Sequence, residues 1–63
     1  MTLDEARNHI NEGVVYKPHG GRAEDGVITW VSSRFVFVRY SQDEHSRATD
    51  ASALTLLAAG VPQ

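Results

Sequence analysis

Between Glu24 and Tyr40 the chain reads EDGVITWVSSRFVFVRY, two β-branched and aromatic runs, Val27–Val31 and Phe35–Tyr40, flanking a polar break at Ser32–Ser33–Arg34. Runs of this kind around a short break predict an antiparallel hairpin. Gly26 gives the first strand a flexible start, and Ser-Ser-Arg is permissive turn material. In 63 residues a hairpin this apolar has to be the centre of the fold. Its register decides which side chains share a face, because a one-residue slip inverts a strand. With a Ser32–Ser33–Arg34 loop, one face carries Ile28, Trp30, Val36, Val38 and Tyr40, and the other carries Val27, Thr29, Val31, Phe35, Phe37 and Arg39. With a Ser32–Ser33 loop, Ile28 and Trp30 join Phe35 and Phe37 instead. Either way both faces are substantially apolar, too much for a sheet with one wet side. Barrel closure, the terminal helices or another molecule must cover the second face.

The flanking segments fit around that centre. Thr2 and Glu5 have capping-box spacing, Asp4 and Glu5 suit the start of a helix dipole, and Leu3, Ala6 and Ile10 share a helical face. The expectation is a short helix from Thr2 to about Glu12, stopped by Gly13. Val14–Lys17 reads as a first strand ended by Pro18. Pro18–Asp25 and Ser41–Arg47 read as mobile loops without core anchors. Gly20–Gly21 matches no phosphate-binding glycine pattern and is better read as a loop. Ala48–Thr49 is a brief fourth strand. Thr49 or Asp50 then caps a helical turn from Ala51 to about Ala58, with Leu54, Leu57 and Val61 facing inward. The fold class is mainly β, a small bent antiparallel barrel with a short N-terminal helix and a C-terminal helical turn. It forms one domain over 1–63, with the helix in 1–12 and the barrel in 13–57.

A chain this short buries only about 60% of its unfolded surface, and such domains commonly need a staple. There is no cysteine, which removes disulfides and thiolate metal sites and fits a reducing, cytoplasmic setting. His9, His19 and His45 lack ligand spacing and read as solvent-exposed, so no cofactor or metal is expected. Packing and self-association are left to hold the fold. Net charge is −2, and the six basic residues are scattered among acids, which places nucleic acid behind protein as a partner. No apolar run approaches the ~20 residues that span a bilayer, and Asp4, Glu5 and Arg7 interrupt any signal-like start. The expectation is a complete, soluble, non-membrane protein.

Trp30 and Phe35 read either as core or as an exposed platform, since aromatics dominate binding hot spots. Tyr16 and Tyr40 read as barrel wedges with wet hydroxyls. Arg34 and Arg39 read as solvated strand arginines or, beside aromatics, as a grip for phosphate or carboxylate. Glu24, Asp25, Asp43 and Glu44 read as solubilising. No nucleophile–base order stands out, and so small a domain has little room for a water-excluding site. The expected partner-binding patch is Trp30, Phe35 and Phe37, with Arg34 and Arg39 at its rim, and no catalytic residues.

The order VVYKP, loop, EDGVITWV, tight turn, RFVFVRY, polar loop, Ala48–Thr49 and leucine-containing end resembles an SH3-like barrel. More narrowly, it resembles short SH3-like proteins encoded by tailed phages and prophages, over residues 13 to 57. Gly26–Thr29 and Val36–Tyr40 are the most specific parts. The resemblance implies the fold and a mobile-element context, hence a host cytoplasm, and no catalytic residues. The function expected is a non-enzymatic protein-interaction module, a phage-derived accessory or host-modulating factor that takes a protein partner or forms a homodimer. The alternatives are a nucleic-acid-binding SH3-like module and a small inhibitor or nucleotide-sequestering oligomer.

Overall fold

The computed structural model of the chain describes residues 1–18 and 20–57. A short helix α1 (Leu3–Arg7) precedes strands β1 (Gly13–Tyr16), β2 (Glu24–Val31), β3 (Val36–Tyr40) and β4 (Arg47–Thr49). A 3-10 turn (Ala51–Ala53) then leads into the last strand, β5 (Leu54–Leu56). The five strands form one antiparallel sheet in the order β4-β3-β2-β1-β5.

The mainly β class holds, while several boundaries move. The Thr2–Glu5 capping box forms in both directions, Thr2 Oγ1 accepting from the Glu5 amide at 3.1 Å and Glu5 Oε1 from the Thr2 amide at 2.9 Å. The helix nevertheless stops at Arg7 rather than near Glu12. Asn11 takes a left-handed φ of 74°, and its amide and the Glu12 carbonyl bond to the backbone of Ile28. Those groups extend the sheet and cannot also continue a helix. At the other end, the helical turn expected to reach Ala58 is only Ala51–Ala53, capped by the Asp50 side chain on the Ser52 amide. Leu54–Leu56 is a strand because its alternation suits β1: Leu54 and Leu56 pair with Tyr16 and Val14 and turn inward, with Thr55 outward. Leu57, expected inward, is 44% exposed. Ala58 and Val61 lie outside the described residues, as does His19.

The sheet curls but does not close. Thr49 and Leu54 sit on opposite edge strands, which four inter-strand gaps of ~4.8 Å would hold about 19 Å apart in a flat sheet. Only Asp50–Ala53 join them, mostly in a 3-10 turn that rises about 2 Å per residue. The edges must therefore bend toward each other over the core. Yet β4 and β5 are not hydrogen-bonded neighbours, so the expected closed barrel is an open, strongly curved sheet. Its concave side holds the wholly buried Val14, Ile28, Val36 and Val38, with Leu54, Val31 and Tyr40 beside them and Ala6 of α1 against β2. Tyr40 is 5% exposed and its hydroxyl meets Thr49 Oγ1 at 2.8 Å, so this tyrosine is a core residue rather than a wet wedge. Its ring lies 5.8 Å from that of Tyr16. Met1 packs on the same cluster, and its ammonium donates to the Ala51 and Leu54 carbonyls at 3.1 and 3.0 Å, along the free edge of β5.

Candidate functional site

The hairpin follows neither of the two registers drawn from its sequence. Val31 pairs with Val36, Trp30 with Phe37, Ile28 with Val38, Val27 with Arg39 and Gly26 with Tyr40. The pairing shifts between Ile28 and Trp30, leaving Thr29 as an extra residue on β2. The cause lies in the core. Ile28 and Val31 are both buried, but an odd separation would put them on opposite faces of a regular strand. One inserted residue brings them to the same side, as β-bulges do. The other product of the shift is Trp30, turned to the convex face and 62% exposed. The Thr29 side chain secures the bulge, donating to the Phe37 carbonyl at 3.2 Å and lying 2.6 Å from Ser46 Oγ on the β3–β4 connection.

The turn is equally specific. The Ser32 amide donates to the Phe35 carbonyl at 2.9 Å, so only Ser33 and Arg34 form the loop. Ser32 Oγ accepts from the amides of Arg34 and Phe35 at 3.2 and 2.9 Å, a side chain standing in for backbone turn bonds. Arg7 ties the Ser32 carbonyl back to α1 at 3.2 Å. Arg34 and Phe35 are thus exposed residues on a well-held turn, with Phe35 at 43%.

Pairing and alternation bring Trp30, Phe37, Val27 and Arg39 together on the convex face, and alternation from Phe37 assigns Phe35 to it as well. Phe37 and Val27 are half-buried there, and Arg39 is exposed. Four of the expected site residues, Trp30, Phe35, Phe37 and Arg39, therefore share one face, with Arg34 at its turn end. Sequence reasoning missed the far end. Gly13 pairs with Val27, and the missing side chain leaves a hollow that Leu57 edges; a Cβ at Gly13 would come within 3.3 Å of Leu57 Cδ1. An open groove of about 620 Å³ lies there, floored by Gly13, Val27 and Leu57 and rimmed by Arg39, Asp25 and Glu44. Nothing in the linear sequence marks Gly13 and Leu57 as neighbours, because the contact depends on β1 lying between β2 and β5.

Charge on the face is mixed. Arg7 and Arg47 are taken by Asp4 and Asp43 at 2.7 and 3.0 Å, whereas Arg34 and Arg39 have no ion-pair partner among the described residues. The β3–β4 connection, expected from sequence to be a mobile loop, carries the Asp43–Arg47 pair, a bond from the Asp43 amide to the Tyr40 carbonyl and the Ser46–Thr29 contact. His9 is half-buried and meets Glu12 at 3.0 Å, and His45 is exposed. Among the described residues no three His, Cys, Asp or Glu side chains gather as metal ligands would. None of their helices is long and apolar enough to cross a membrane. Comparison with protein-family models, curated proteins and solved structures finds no match for this chain.

Proposed function

We propose that this chain is a non-enzymatic protein-interaction module of SH3-like plan that docks through the convex face of its hairpin. The observation that carries the reading is Trp30, held 62% exposed by a bulge and a bonded turn beside Phe37 and Phe35. A large rigid aromatic loses little entropy on binding, and arginines at its edge give orientation, the usual chemistry of protein interfaces. The strand order and the 3-10 turn before β5 support the SH3-like plan. The likeness of Gly26–Thr29 and Val36–Tyr40 to short phage proteins supports an accessory or host-modulating role in a cytoplasm. The acids beside Arg39 favour protein over nucleic acid, whose phosphates need net positive charge.

The test is capture from a nuclease-treated lysate of the source cell on immobilised protein, compared with Trp30→Ser and Phe37→Ser. Both variants should keep a dispersed amide spectrum and lose the captured protein. Capture that disappears on nuclease treatment, or that both variants retain, overturns the reading.

A further inference from the structure

The convex face has two unlike halves. Its turn end carries Trp30, Phe37 and Phe35 beside Arg34, a cation with no ion-pair partner among the described residues. Its open end carries the Val27–Leu57 groove, with Arg39 and the carboxylates of Asp25 and Glu44 on the rim. At ~3.3 Å per strand residue, Asp25 and Arg34 lie roughly 20–25 Å apart along the hairpin. Turning a copy of this face by half a rotation about an axis through the Ile28–Val38 level lays each half over the other. The aromatic end meets the groove, Arg34 meets Asp25 and Glu44, and Trp30 meets Arg39, a cation over the ring type that holds cations best.

Resting on the interaction reading above, we infer that the occupant of this face is a second copy of the chain, in an isologous two-fold dimer with sheet packed on sheet. A two-fold interface must be self-complementary, and this face is so in both charge and shape: projecting aromatics at one end, a hollow at the other. A 63-residue domain without cysteine also gains the staple that its size calls for.

Trp30 is the sole tryptophan, so its fluorescence reports this face directly. Sedimentation and emission are followed together from micromolar to millimolar protein. The mass should rise from 6.9 kDa toward twice that value, and the emission should shift to shorter wavelength with the same midpoint. Arg34→Glu and Asp25→Arg should each weaken association tenfold or more, and the double variant should recover most of it. A monomer at every concentration overturns the inference, as does a dimer whose Trp30 emission stays fixed, since that dimer uses another surface. If the chain is monomeric while Trp30→Ser still abolishes capture of another protein, only the inference falls. If Trp30→Ser changes neither association nor capture, the interaction reading falls with it.

Discussion

At the scale of single residues, the fold depends on a few positions with no slack. Val36 is wholly buried on the central hairpin, where an unpaired carboxylate would cost several kcal/mol, comparable with the 3–5 kcal/mol a core of this size supplies. Val36→Asp should therefore collapse the dispersion of the amide spectrum. Gly26, read from sequence as a flexible strand start, is the third residue of β2 and is tightly packed: a Cβ there would lie 2.5 Å from Val38 Cγ1 and 3.0 Å from both the Arg39 carbonyl and Tyr40 Cδ1. Gly26→Ala should destabilise by about 1–3 kcal/mol through overpacking, read from the denaturant midpoint. Tyr40 carries a pH dependence. Burial pushes its hydroxyl above the usual 10.0, and the bond to Thr49 only partly offsets this. The folded state thus holds that proton more firmly than the unfolded chain does. Stability should be intact below pH 10.0 and decline as pH rises from there through the higher folded value. Tyr40→Phe should cost about 1 kcal/mol at neutral pH and flatten that alkaline decline. A decline of unchanged slope would place the titrating group elsewhere.

At the scale of elements, the hairpin shows how far the sequence can be read and where it stops. Its two strands, the short break between them and the surplus of apolar side chains all follow from residue type and alternation. The bulge does not, because alternation assumes one residue against one. Only the observed core reveals it: Ile28 and Val31 cannot both face Val36 and Val38 without an extra residue between them. Deleting Thr29 offers a sharp test, since the shortened strand still runs Ile28 in, Trp30 out, Val31 in. The variant should fold with Trp30 equally exposed to quenchers, while the amide of Ser46, released from Thr29, exchanges faster. Strong protection of Trp30 would show that one-to-one alternation from Ile28 does not keep it on the convex face. The C-terminal segment misled for another reason. Leu54 and Leu57 have helical spacing, but Leu54 and Leu56 also have strand spacing, and only the free edge of β1 decides between them. The partner patch was legible as a set of residue types. Its acidic, groove-bearing end was not, since it joins residues from β1, β2, the β3–β4 connection and Leu57.

At the scale of the whole molecule, β1 is paired on both sides, by β2 and by β5, and β5 is the last strand of the sheet. Its pairs, such as Val14 with Leu56, are among the most distant in the chain, and closing such loops is what slows folding. Leu54 completes the concave core, and its carbonyl, with that of Ala51, takes up the Met1 ammonium. A chain ended at Asp50 keeps the hairpin but leaves Val14 and Ile28 open to water. It should show no cooperative thermal transition by circular dichroism, and a retained sharp transition would make β5 an accessory strand. The central hairpin pairs residues close in sequence and can find its own register early. The sheet that gives that hairpin its permanence cannot exist until Leu54 and Leu56 reach β1, so the local hairpin waits on a pairing some forty residues away in sequence.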